Sequence, residues 1–349
     1  MMRRIKIYIP VIIALLIMLA AMTACAGPAK ETALRAIIIP KFEIGEMEGD
    51  FPGEAQLFYE QYCSGCEETE IPNMPPTGHF YINEEKGVGI LVTGAGKTAA
   101  GLSLMALLSS DLYDYSDAYI VSVGCGGGSE TYCMLGDVIL NTAACDYDLG
   151  HHVDAHEKKK SGSQVMWFPD DGYSDYEFKL FNKDLCDKVF DMIRDCPVQT
   201  TEMAKAVMAE NFGAREESDL TPAVRKGTTL TGDNYWKGIY GHVTASYISN
   251  YYKCPDPYAV TEMEEVAIAN TADCFGMLDR VISLRVIVNM DVFLNGATPE
   301  STWGEYDRFS NKVKDENSET LDIFEPAMHN LFDTASIVID KILETEGEI

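Results

Sequence analysis

The stretch Gly87-Val-Gly-Ile-Leu-Val-Thr-Gly-Ala-Gly-Lys97 decides the fold. Its first half is an apolar run of strand length, and its second half is a glycine turn. Apolar residues then recur at helical spacing from Thr98 to Ser109, so the chain passes from a buried strand through a tight turn into a helix. Upstream, Arg35-Ala-Ile-Ile-Ile-Pro40 reads as another buried strand. Downstream, Ala118-Tyr-Ile-Val-Ser-Val123 runs into a loop, Gly124-Cys-Gly-Gly-Gly-Ser129, and Asp137-Val-Ile-Leu140 follows as the next strand. Helical patterning covers Asp184 to Arg194, Thr201 to Asn211, Val260 to Phe275 and Glu319 to Glu344, with a strand over Val281 to Val288.

Strands alternating with helices predict an α/β fold, a three-layer αβα sandwich around a mixed, mostly parallel twisted sheet. Ligands of such sheets sit at the carboxyl ends of strands, which is where Gly94, Gly96, Gly124 and Gly126 fall. No internal repeat divides the chain, so residues 35–349 read as one domain.

Residues 1–24 stand apart. Arg3, Arg4 and Lys6 precede an apolar run from Ile7 to Ala21, and Met22-Thr-Ala-Cys25 closes it with small residues and a cysteine. That order predicts a lipoprotein signal peptide, acylation of Cys25 and a tether over residues 25–34. The protein would then be lipid-anchored at the cell membrane and face outside the cytoplasm. The competing reading is an uncleaved membrane helix.

Lys and Arg total 27 against 55 Asp and Glu in 349 residues, a formal net charge of -28. This balance excludes a nucleic-acid partner, whose phosphates need clustered cations. Of the ten cysteines, nine remain after Cys25, so at least one is unpaired or pairs between chains. Cys63-Ser-Gly-Cys66 reads as a local disulfide or two plain thiols, since no second such pair completes a zinc site. His151, His152, Asp154 and His156 cluster in sequence, but adjacent histidines rarely share one ion, so no metal is expected and a substrate-covering loop is the better reading.

Gly94-Ala-Gly-Lys97 lacks the spacing of a nucleotide-triphosphate loop, because Leu91 stands where the first glycine belongs. A turn whose backbone N–H groups hold a polar ligand edge remains. Gly232-Asp-Asn-Tyr-Trp236, Glu262-Met-Glu-Glu265 and Asn289-Met-Asp291 together offer carboxylates, aromatic faces and a carboxamide, the groups that ribose hydroxyls and a purine need.

In this order, Thr93-Gly-Ala-Gly-Lys97, Val123-Gly-Cys-Gly-Gly-Gly128, Leu135-Gly-Asp-Val-Ile139, Thr231 to Trp236, Glu262-Met-Glu264 and Arg285 to Asn289 resemble successive motifs of the nucleoside phosphorylase superfamily. Ile39-Pro-Lys-Phe-Glu43, Tyr147 to Glu157 and Trp167-Phe-Pro169 resemble segments of its purine nucleoside permease branch. The resemblance implies a purine nucleoside as ligand. Glu264 would accept hydrogen bonds from the ribose hydroxyls, Met263 would pack on the sugar, Tyr235 would stack on the base and the backbone near Trp236 would read its edge. Asn289 stands where many relatives place an Asp that protonates the purine. Its amide would hydrogen-bond an oxopurine instead, with Asp291 as the alternative donor. The water-activating carboxylate would be Glu54, with Glu43 as the second candidate and an ordinary solvated loop as the plainer reading.

Phosphate-using relatives commonly carry an Arg before the third-strand glycines, where this chain has Ser122 and Val123. No cofactor is therefore expected, and phosphate is disfavoured as co-substrate. Two functions follow from the resemblance. One is cleavage of the N-glycosidic bond. The other is capture of nucleosides by a non-catalytic lipoprotein that feeds a separate transporter. Assembly as a homo-oligomer is expected by analogy alone.

Overall fold

In the computed structural model the described residues are 32–154, 162–169, 176–211, 220–293, 319–345 and 349. The leader, Cys25 and His156 lie outside them.

The first strand, β1 (Ala36–Ile39), consists of residues with no exposed surface at all. Burying each Ile contributes about 1.5–3 kcal/mol. A short helix, α1 (Gln56–Phe58), follows, continued by a wider turn over Tyr59–Cys63. Then come β2 (His79–Asn83), β3 (Val88–Val92), α2 (Lys97–Leu108), β4 (Tyr119–Gly128) and β5 (Val138–Asp146). Two-residue strands β6 (His151–His152) and β7 (Trp167–Phe168) pair with each other, and β8 (Phe178–Leu180) pairs with β5. The rest is α3 (Lys183–Ile193), α4 (Glu202–Asn211), β9 (Val224–Thr231), α5 (Ile239–Tyr251), β10 (Tyr258–Glu262), α6 (Glu265–Cys274), β11 (Val281–Met290) and α7 (Glu319–Glu344). The start of α3 shows its sequence logic: the Asn182 side chain accepts from the N–H groups of Asp184 and Leu185, satisfying donors the helix cannot.

The main sheet runs β10-β9-β5-β11-β4-β1-β3-β2. β1 is parallel to β3 and β4, β11 to β4, and β9 to β5 and β10, whereas β11–β5 and β2–β3 are antiparallel. On one side α6 packs on β5, β9 and β11 with α2 against it. On the other α7 covers β1, β4, β5 and β11, flanked by α3 and α4. The fold is thus the expected αβα arrangement with a mixed sheet.

Two segments differ from the sequence reading. The Gly124–Gly128 run is not a loop but the last half of β4, paired with β11 on one side and, at Gly127 and Gly128, with β10 on the other. That second pairing closes β4, β11, β5, β9 and β10 into a ring. A Cβ on Gly126 would lie 2.5 Å from the Thr261 carbonyl oxygen, so glycine here permits a close strand approach. Val260 to Phe275 is not one helix: β10 ends at Glu262, and α6 begins at Glu265 with Glu264 at its N-cap.

Candidate functional site

The carboxyl ends of β1, β4, β10 and β11, with the turn after β9, surround a cavity of about 230 Å³. Lys41, Glu54, Gly126, Tyr235, Trp236, Met263, Glu264, Asn289 and Asp291 all line it, so residues separated by up to most of the chain meet there.

Glu264 is held by its position. Its Oε1 accepts from the Gly96 N–H at 2.8 Å, in a turn where Gly94 and Gly96 adopt φ of 81° and 94°. Among the described residues its second oxygen accepts no hydrogen bond. Burial, then the nearby Glu262 charge, raises its carboxyl to about 7, against the pull of Lys41 and Arg285. Asp291 is also raised to about 7 by burial, although the hydroxyls of Tyr258 and Thr261 both donate to it. Asn289 sits at a register shift between β11 and β4, opposite Gly127, and its Nδ2 makes a long 3.4 Å bond to the Met290 carbonyl.

Glu54 bridges two strands. Its Oε2 accepts from the Lys41 backbone N–H at 2.8 Å and its Oε1 from the Cys125 N–H at 2.7 Å. Gly124 lies under this carboxylate, where a Cβ would come within 2.9 Å of Oε1. Glu43 has a different place. It does not line the cavity, and its carboxylate accepts from the N–H groups of Ile44, Gly53, Ala55 and Gln56 at the start of α1. Those donors leave Glu43 a structural anchor for the segment that carries Glu54.

Beneath the cavity lies a buried ionic network that sequence reasoning missed. Lys41 Nζ donates to Ile39 O, Ser122 Oγ and Val123 O at 2.8–2.9 Å, which uses all three of its donors. Burial, with the Arg285 charge, lowers its ammonium to about 8. Arg285, with no exposed surface, reaches Glu265 at 2.8 Å, Glu262 at 3.4 Å and Ser122 at 3.3 Å. Glu262 also accepts from the hydroxyls of Thr229 and Thr231 and from the N–H groups of Glu264 and Glu265. The network therefore fixes the strand end that presents Met263 and Glu264. Lys97 is equally engaged, held by Asp146 at 2.9 Å and Asp148 at 3.0 Å, and these carboxylates keep it above its ordinary value despite burial.

Of the two predicted aromatics, Trp236 stacks on Tyr147 at 4.9 Å and 17°, while Tyr235 is 64% exposed at the rim. His151 and His152 are exposed in β6, and among the described residues no group of His, Cys, Asp and Glu is arranged to hold a metal. Among those residues, too, no helix is long and apolar enough to cross a membrane.

The purine nucleoside permease family model matches residues 33–346. The chain belongs to the purine nucleoside permease family. A probable purine nucleoside permease of Schizosaccharomyces pombe is 24% identical over 345 residues, covering 93% of this chain and 95% of its own. Solved structures with the same fold include the 5'-methylthioadenosine/S-adenosylhomocysteine nucleosidase of Neisseria meningitidis in complex with methylthio-immucillin-A. It has TM-score 0.52 at 13% identity and covers 88% of this chain and 98% of that one. The Helicobacter pylori futalosine hydrolase has TM-score 0.51 at 12% identity, over 88% and 98%. For this permease-family chain such distant likenesses establish the fold, and they agree with the sheet and helix layers described above.

Proposed function

We propose that this purine nucleoside permease family member binds purine nucleosides, 6-oxopurines in preference, and hydrolyses their N-glycosidic bond. One observation carries the reading: Met263, Glu264, Glu54, Asn289 and Asp291 line a single cavity at the strand ends. In this reading Glu264 accepts hydrogen bonds from the ribose hydroxyls, and its charge stabilises the positive ribosyl group as the bond stretches. Glu54, with lone pairs left after two backbone donors, orients a water and takes its proton as the water oxygen bonds C1′. The C1′–N9 pair leaves with the base, which receives a proton from Asp291 while the Asn289 amide holds its oxo edge. Water is preferred to phosphate because the three donors of Lys41 are already spent on the protein. The reading of residues 1–25 supports a lipid anchor at Cys25, which would place this chemistry outside the cytoplasm.

A second reading is capture without turnover, feeding a separate transporter. It is favoured by Asn289, which cannot deliver a full proton. Purified protein mixed with inosine, guanosine and adenosine, with and without phosphate, decides between them. Free base released without phosphate supports hydrolysis, strict phosphate dependence overturns it, and binding heat with no base released establishes the capture protein.

A further inference from the structure

Away from the cavity, Cys145 and Cys254 bring their sulfurs to 3.4 Å across 109 residues of sequence. Each backbone is fixed independently of the other. Cys145 lies near the end of β5, the strand between β8 and β9, opposite Phe178 and Leu230 respectively. Cys254 ends the cap of α5: its N–H donates to Ser249 O at 3.1 Å, and Lys253 before it adopts φ 54°. Cys145 belongs to the small second core with Tyr147, Leu230, Ile248 and Tyr258, and the part-buried Cys254 packs against it. The sulfurs would need to close by roughly 1.4 Å to reach bonding distance.

We propose that Cys145 and Cys254 are the protein's oxidisable pair and form an intramolecular disulfide on exposure to a disulfide oxidant. Cys145 has no exposed surface whereas Cys254 is part-exposed, so Cys254 meets the oxidant first. The hydrogen bond from the Cys145 thiol also holds Cys254 below its ordinary value. The Cys254 thiolate attacks one sulfur of the external disulfide and expels a thiolate. Cys145 then attacks the Cys254 sulfur and passes its proton to the second thiolate as that leaves. Two protein thiols and one external disulfide become one protein disulfide and two external thiols. The bond would join the end of α5 to the residue before Asp146, whose carboxylate holds Lys97 beside the cavity. This inference stands apart from the nucleoside reading and does not require it.

The test treats the full chain with oxidised glutathione under native conditions, followed by alkylation in denaturant and peptide mass mapping. A linked peptide pair containing Cys145 and Cys254, with neither thiol alkylated, is the expected result. Oxidation should also raise the unfolding midpoint by about 5 °C or more, because a loop of this length is closed. The Cys254→Ser variant should show no such rise, and the Cys63→Ser variant should keep it. Alkylation of both thiols after oxidation, glutathione left on Cys254, or a link from either to another cysteine would overturn the proposal.

Discussion

Glu264 and Gly96, 168 residues apart, are joined by one 2.8 Å hydrogen bond from the glycine N–H to the carboxylate. The bond fixes one oxygen and leaves the other for a ligand, so the glycine turn aims a carboxylate rather than binding an anion itself. Replacing Glu264 by Gln keeps an acceptor for Gly96 but removes the charge that ribose hydroxyls would meet. Inosine affinity measured by calorimetry should fall about 10- to 100-fold, the loss expected for a hydrogen bond to a charged group. Unchanged affinity would remove Glu264 from the sugar site.

The pH profile should be a bell centred near neutrality. In the proposed mechanism Glu264 acts ionised, and it sits at about 7, so activity should fall as pH drops below that value. Asp291 acts protonated in that mechanism and also sits at about 7, so activity should fall as pH rises above it. Hydrolysis followed from pH 5 to 9 should lose its alkaline limb in Asp291→Asn, together with most of its rate. A wild-type rate that is flat across this range would dismiss both assignments.

The same shifts predict a stability effect with a definite sign. A carboxyl whose value is raised by folding contributes fully below its unfolded value, and that contribution is lost as pH rises toward the folded one. Glu264→Gln and Asp291→Asn should therefore stabilise the protein at pH 8 by about 1–3 kcal/mol each and leave it nearly unchanged at pH 4. Urea unfolding at the two values checks this. Destabilisation at pH 8 would show that the charged forms are well solvated.

Arg285 answers two carboxylates with no exposed surface of its own. Arg285→Met leaves Glu262 and Glu265 buried without their guanidinium partner and should cost about 3–5 kcal/mol in denaturant unfolding. A loss below about 1 kcal/mol would mean that water or local rearrangement replaces the guanidinium.

Asn289 is the residue through which the base should be read. Asn289→Asp introduces a proton donor at the same backbone position, so adenosine turnover relative to inosine should rise by about tenfold or more. Chromatography of released base gives the ratio, and an unchanged ratio would place the base elsewhere in the cavity.

The strands β1, β3 and β11 and helices α2, α3, α4 and α7 were legible because their apolar residues follow simple periods. Strand β9 was not. Its threonines are buried by donating hydroxyls to Glu262 and to the Asp256 carbonyl, a satisfaction invisible to hydropathy. The β10 strand merges with α6 in the sequence reading because Val260, Ala267 and Ile268 fall at i, i+7 and i+8, a helical period if the break at Glu262-Met-Glu is ignored. With it goes the strand that carries Tyr258 and Thr261, whose hydroxyls donate to the Asp291 carboxylate. The resemblance implies Glu54 with Glu43 as the second candidate, and only the folded chain shows that Glu43 anchors the start of α1. Lys41 was visible as a cation, yet the three acceptors that consume it come partly from β4, beyond the reach of local pattern.

Both lysines set in the strand-end turns, Lys41 and Lys97, spend their charge inward. A phosphate entering the cavity would find neither of those two ammonium groups turned to receive it. Under the proposed function, the contacts that hold these two side chains would leave a phosphorylated ligand without either partner, whereas an uncharged sugar needs neither.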